Sequence, residues 1–231
     1  MIEDVRWVWF DLGGTLVCED ACVTARCRSL VAHLRRQGVH TRLAELRRLL
    51  EEAAASFHPR PVVGALEALG LGHALQEELL ATARWRRELE RPYEGAVACL
   101  EELAVRFRLG VVANQGPGAR DRLARYGFLP FLEAALLSDE LGIIKPHPKM
   151  FELLAERSGV EPYQIVVVGD RLDNDIGPAK AYGVKTIRVL QGLHRRQQPR
   201  VPEEVPDVVV GTVAAVAGVL SSPSGVERPP G

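Results

Sequence analysis

An apolar run, Trp7-Val8-Trp9-Phe10, breaks off at Asp11-Leu12-Gly13-Gly14-Thr15-Leu16. A buried strand there delivers a carboxylate to a glycine-rich turn. In an open α/β sheet, an aspartate at the carboxyl end of a strand is costly unless its charge is used. A second apolar run, Ile165-Val166-Val167-Val168-Gly169, ends in Asp170, Asp173 and Asp175. Carboxylates so close repel one another unless they share a cation. Two weaker signals lie between. Leu109-Gly110-Val111-Val112-Ala113 ends at Asn114-Gln115 and then Gly116-Pro117-Gly118, a turn and helix start whose backbone N–H groups suit an anion, although Asn and Gly are also ordinary turn residues. Lys145, within Gly142-Ile143-Ile144-Lys145-Pro146-His147-Pro148, reads in isolation as a solvated lysine. Its place after a strand and before a helix also suits a fixed cation beside a phosphate or carboxylate. Set at the ends of neighbouring parallel strands, Asp11, Asn114, Lys145, Asp170 and Asp175 converge on one crevice. Carboxylates plus a backbone carbonyl make a hard-oxygen site for Mg²⁺, and the lysine with exposed N–H groups complements an anionic substrate. The chemistry indicated is phosphoryl transfer at an aspartate.

The elements that must position these residues are legible as short apolar runs at 5–10, 109–113, 135–138, 165–169, 185–190 and 207–210, each expected to be a strand. Helix-period segments fall between the later runs, such as Pro148 to Ser158 and Asn174 to Tyr182, the latter closed by Gly183. Strand and helix alternate, which predicts an α/β fold, a doubly wound parallel sheet with right-handed crossovers. Residues 18–91 break the alternation: they are rich in Arg and Leu, carry no strand signal, and read as an inserted helical unit. Gly38, His58-Pro59-Arg60-Pro61 and Gly70-Leu71-Gly72 divide that unit into four helices. The expected organisation is therefore a core at 1–17 and 92–220, re-entered through Pro92-Tyr93-Glu94-Gly95, with a helical domain at 18–91. The polar, Pro/Gly-rich tail at 221–231 reads as disordered.

A formal net charge of -1 and a pI near 6.6 give no electrostatic case for nucleic acid or a membrane surface, so small ligands are the expected partners. No apolar stretch approaches the ~20 residues of a membrane span, and the N-terminus lacks a signal-peptide pattern, so the protein is expected to be cytoplasmic. Cys18, Cys22 and Cys27 are clustered, but their spacing matches no paired zinc pattern, and they read as helix-face residues.

Four motifs in order resemble the haloacid dehalogenase-like hydrolase superfamily, in the branch with a helical cap inserted after the first strand. They are Asp11-Leu12-Gly13-Gly14-Thr15-Leu16, Val112-Ala113-Asn114, Lys145-Pro146, and Gly169-Asp170 through Asn174-Asp175, covering about residues 5–190. The resemblance implies a Rossmann-like core under an α-helical cap. It further implies that Asp11 is a nucleophile forming an aspartyl-phosphate, and that Lys145 stabilises nucleophile and phosphoryl oxygens. Mg²⁺ is implied to be held by Asp11, the carbonyl of Gly13 and Asp170, with Asp175 holding a metal-bound water or supporting from further out. Gly14, Thr15, Asn114 and Gln115 are implied to bind the phosphoryl group of a small phosphorylated metabolite.

Two positions depart from the family pattern. Gly13 stands where family phosphatases usually carry the aspartate that protonates the leaving oxygen and then activates water. General acid–base catalysis is worth ~10²–10⁴-fold, so activity is expected to be weakened or altered, and Gly13→Asp to raise it. Ala113 replaces a usual Ser or Thr hydroxyl. The leading reading is a Mg²⁺-dependent phosphatase of low or unusual activity, using substrates with good leaving groups or an acid from the cap or the substrate; the alternative is a catalytically inactive binding or interaction protein. A third, a metal-independent dehalogenase-type hydrolase with Arg42 at a tempting distance downstream, conflicts with the retained Gly169-Asp170 and Asp175. In the insertion, His33, His40 and His58 read as surface residues. Arg26, Arg28, Arg35, Arg36, Arg42, Arg47 and Arg48 could meet an anionic substrate but read first as solubilising, and Trp85 reads as packing the bundle in preference to stacking on a ligand.

Overall fold

The structure, a computed structural model, describes residues 2–220; the tail expected to be disordered lies outside the described residues. The chain runs β1 (Trp7–Phe10), β2 (Val17–Cys18), α1 (Asp20–Arg36), α2 (Leu43–Ala55), α3 (Pro61–Ala68), α4 (His73–Thr82) and β3 (Arg91–Pro92). It continues through α5 (Ala96–Ala104), β4 (Arg108–Ala113), α6 (Ala119–Arg125), β5 (Ala134–Leu137), α7 (Ser138–Leu141), α8 (Pro148–Ser158), β6 (Ile165–Gly169), α9 (Gly177–Ala181), β7 (Lys185–Val189) and β8 (Val208–Val210). Six strands form one sheet in the order β5-β4-β1-β6-β7-β8, every pairing parallel. β1 is central, and the chain winds outward from it in both directions. That makes its carboxyl end the topological switch point where ligands bind in such sheets.

Alternation along β1 splits the core into two layers. Val8 and Phe10 face a cluster with Leu100, Leu109, Val166 and Val168. Trp7 and Trp9 face the other side, against Met150, Phe151 and Leu154 of α8. The two indoles stack at 5.3 Å, and Trp9 Nε1 donates to Ser158 Oγ at 2.9 Å, which satisfies its one polar atom in the core. Helices α1 to α4 bury a separate cluster built on Leu30, Leu34, Leu46, Leu50 and Leu66.

Two local expectations are corrected. The insertion does meet strand structure: Val17–Cys18 pairs antiparallel with Arg91–Pro92, drawing its two ends together. Two-residue strands have no periodicity for a sequence to display. Of the helix expected over Asn174 to Tyr182, α9 forms the later part as expected, but the first residues belong to a π-helical turn, Leu172–Ile176. Its wider turn brings the Asp175 carboxylate back across Gly169, where a Cβ would lie 2.4 Å from that of Asp175.

Gly110 on β4 gives Trp9 its space, since a Cβ there would lie 2.5 Å from the indole. Gly110→Ala should therefore cost about 1–3 kcal/mol through overpacking, read as a lower denaturant midpoint with an unchanged m-value.

Candidate active site

Asp11 follows β1 directly, and its N–H donates to Val168 O of β6 at 2.9 Å. Asp170 follows β6, so pairing of these two strands sets the carboxylates side by side. Asn114, at the end of β4, clamps the backbone of Lys145: its Nδ2 donates to Lys145 O at 2.8 Å, and Lys145 N donates to its Oδ1 at 2.7 Å. The lysine side chain, 2% exposed, then donates from Nζ to Asp11 Oδ1 at 2.7 Å, Asp175 Oδ1 at 2.6 Å and Val112 O at 2.8 Å. All three ammonium protons are used. Asp175 also accepts the N–H of Arg171 through Oδ2 at 3.1 Å.

Burial first, and then the neighbouring charges of Asp175 and Asp170, push Asp11 above the usual carboxylate range despite the ammonium beside it. Asp175 is raised by burial and by Asp170. Burial opposes the charge of Lys145, but Asp11 and Asp175 override it and hold the ammonium above its ordinary pKa. One cation thus faces three buried carboxylates. Oxygens of Asp11, Asp170 and Asp175 lie within 4.8 Å of one another, and Asp170 Oδ1 is buried with no hydrogen-bond partner. An orphaned carboxylate oxygen in an electronegative pocket fits a hard divalent cation. Gly13, whose carbonyl accepts no hydrogen bond among the described residues, lines the same space.

Asp11, Gly13, Gly14, Asn114, Gln115, Lys145, Asp170 and Asp175 all line one cavity of about 200 Å³. Thr15 does not: it is fully buried, and its hydroxyl faces no polar partner. The Gly14 N–H is also withdrawn from ligand binding, because it donates to Val17 O at 2.9 Å. Its tight turn instead uses the glycine to pass Asp170, whose Oδ2 would lie 2.6 Å from a Cβ at φ +77°. Free donors are found one step earlier, at the N–H groups of Leu12 and Gly13, which have no acceptor among the described residues. Gln115 is held by Arg122 through its side chain and by Ser138 through its N–H.

Two ionisable residues at the cavity, His194 and Glu19, went unassigned by the sequence analysis, and a third, Arg26, was read there as solubilising. His194 places Nδ1 3.2 Å from Asp170 Oδ2; it follows β7 in a Gly192-Leu193-His194 turn, and its position after a strand was the only available signal. Glu19 precedes α1, where an acidic residue reads as an ordinary helix start. Burial, with Asp170, Glu90 and Asp11 adding to it, pushes its carboxyl up to about 8. Arg26 is the one insertion arginine of the seven singled out that lines the cavity, and its Nε is buried without a partner. His33, His40 and His58 do not line it; His33 sits against Glu78 and His58 against Glu67. Leu30, Leu46, Leu50 and Trp85 form an apolar wall opposite the carboxylates.

A family model for haloacid dehalogenase-like hydrolases matches residues 5–183. The chain belongs to this family. Among similar haloacid dehalogenase-like proteins is a glyceraldehyde 3-phosphate phosphatase of Methanopyrus kandleri, 31% identical over 88% of this chain and 91% of its own length. A phosphoglycolate phosphatase of Rhodospirillum rubrum is 33% identical over 81% of this chain and 80% of its own. The crystal structure of a predicted phosphoglycolate phosphatase from Haemophilus somnus 129pt superposes with a TM-score of 0.68 at 22% identity. It covers 94% of this chain and 98% of that one, and so supports the common fold. No described helix of this hydrolase is long and apolar enough to cross a membrane.

The surplus of buried negative charge predicts that Mg²⁺ stabilises the fold. At a concentration 100 times its Kd the gain is about 2.7 kcal/mol, and each kcal/mol is worth roughly 2–4 °C in Tm for a chain of this size. Thermal melts in Mg²⁺ against EDTA should show that shift, and Asp170→Asn should remove most of it.

Proposed function

We propose that this hydrolase is a Mg²⁺-dependent phosphatase of a small phosphorylated metabolite, working through an aspartyl-phosphate on Asp11. The observation that carries the reading is the ammonium of Lys145 bonded to Asp11 Oδ1 at 2.7 Å, which leaves Asp11 Oδ2 free to attack from the cavity floor. Lys145 favours the ionised nucleophile and offsets charge on the transferring group. The free N–H groups of Leu12 and Gly13 are placed to receive phosphoryl oxygens, the task first expected of Gly14 and Thr15. Asn114 acts through Lys145, fixing the segment that carries it. Asp11, Asp170 and the carbonyl of Gly13 are the residues suited to hold Mg²⁺, with Asp175 supporting from behind. When bound, the ion supplies positive charge against the phosphoryl oxygens and carboxylates.

Relatives named as phosphatases of glyceraldehyde 3-phosphate and phosphoglycolate support a small substrate, as does a cavity of about 200 Å³. The insertion roofs that cavity with apolar side chains, which limits water around the reacting group, and offers Arg26 as a cation for a second polar group on the substrate.

Phosphate release from a panel including acetyl phosphate and p-nitrophenyl phosphate tests the reading. Release should require Mg²⁺, stop with EDTA, and fall to the uncatalysed background in Asp11→Asn. Hydrolysis that survives that substitution overturns the assignment of the nucleophile. A folded wild-type protein that releases nothing returns the choice to the binding protein that Gly13 and Ala113 favour.

A further inference from the structure

We propose that Glu19 is the acid–base residue of this site, its carboxyl standing in the space that an aspartate side chain at position 13 would fill. The inference rests on the phosphatase reading above and supplies the group which that reading lacks. Glu19 occupies the N-cap position of α1, yet its side chain makes no capping hydrogen bond. It folds back over the nucleophile loop instead. A Cβ on Gly13 would lie 2.7 Å from Glu19 Oε1, 3.0 Å from Cδ and 3.1 Å from Oε2, and these are its three nearest neighbours. The carboxyl lines the same cavity as Asp11 and Lys145. It forms no hydrogen bond or ion pair among the described residues, so it has no structural partner to lose when a ligand arrives.

The local fold explains how Glu19 gets there. Gly13 bridges to Val17, and Val17–Cys18 is pinned by Arg91–Pro92, so the chain leaves the loop on a fixed path and begins α1 directly above it. Glycine at 13 and glutamate at 19 then form one unit, because a side chain on the first would displace the carboxyl of the second. The acid has moved from the loop to the start of the helix.

In the first half-reaction an Asp11 oxygen bonds to phosphorus as the bond from phosphorus to the leaving oxygen breaks. The Glu19 carboxyl gives its proton to that oxygen, and the alcohol departs. In the second, the Glu19 carboxylate takes a proton from water as the water oxygen bonds to phosphorus and the bond to Asp11 breaks. Phosphate leaves, both side chains return to their starting forms, and the net reaction is phosphomonoester plus water to alcohol plus phosphate.

The test uses β-glycerophosphate, whose alkoxide leaves poorly, and acetyl phosphate, whose acetate leaves without a proton. Glu19→Gln should lower turnover of β-glycerophosphate by about 10²–10⁴-fold. With labelled acetyl phosphate it should still phosphorylate Asp11, then accumulate near-stoichiometric, hydroxylamine-labile phosphoenzyme because the second step lacks its base. A Glu19 that merely supported the fold would slow both halves and trap nothing. Glu19→Ala with Gly13→Asp, which returns a carboxyl to the vacated space, should recover at least tenfold over Glu19→Ala alone; this pair decides the matter if Glu19→Gln fails to fold. Wild-type rates in Glu19→Gln without trapped phosphoenzyme, or no recovery in the double variant, overturn the role of Glu19 while leaving the phosphatase reading intact. Wild-type protein inert to both substrates overturns the phosphatase reading and Glu19's role with it.

Discussion

Lys145 carries a positive charge to the centre of the molecule, where its three protons go to Asp11, Asp175 and the carbonyl of Val112. Taking an ammonium out of water costs several kcal/mol even after relaxation, and the cost is met only if every donor finds a well-placed acceptor. Each acceptor comes from a different strand end: Asp11 after β1, Val112 within β4, Asp175 in the turn after β6. The sheet order that sets β1 between β4 and β6 is therefore a condition of the charge being there at all. Losing one partner of such a buried pair typically costs about 3–5 kcal/mol, so the lysine stabilises the loop ends as well as pairing with Asp11.

The same geometry leaves a deficit of positive charge. One ammonium faces three carboxylates, and the oxygen of Asp170 that points at nothing is where the imbalance is local. Glycines make the crowding sterically possible. Gly14 passes Asp170, Gly169 passes Asp175, and Gly192 lies so close to the loop that a Cβ would be 2.9 Å from the Cα of Gly14. These positions have no room for a side chain because the clustered carboxylates or their loop already fill it, and Gly13 beneath Glu19 obeys the same rule.

The segment after β7 joins this charged floor to the helices above. His194 touches Asp170, Leu193 packs against the helical cluster, Arg195 pairs with Glu51 at 3.2 Å, and Gln197 donates to Ala54 O at 3.2 Å. A single loop thus contacts the candidate cation site and α2 together. The apolar roof over the cavity is held to the charged floor by side chains as well as by the ribbon of β2 and β3.

The parallel α/β sheet was legible because its strands are buried on both faces and read as unbroken apolar runs, and because Asp11, Asn114, Lys145 and Asp170 mark the ends of strands or the loops beyond them. Residue types alone also indicated that Asp11, Lys145 and the Asp170–Asp175 carboxylates belong to one site, since charges at such places are uneconomical apart. Details that depend on backbone direction were not legible. Thr15 turns into the core, the N–H of Gly14 closes its own turn, and the segment expected to begin a helix at Asn174 forms a π-turn, conformations that residue type and spacing do not specify. Glu19, Arg26 and His194 reach the cavity from a helix cap, a helix face and a distant loop, where local sequence looks the same whether a side chain points to solvent or inward. Sequence by itself determined the fold class and the charges at its switch point, because hydrophobic runs and costly carboxylates are local signals. Which group fills the space beside Gly13 was decided only by the tertiary structure, because proximity between α1 and the loop after β1 exists only after folding.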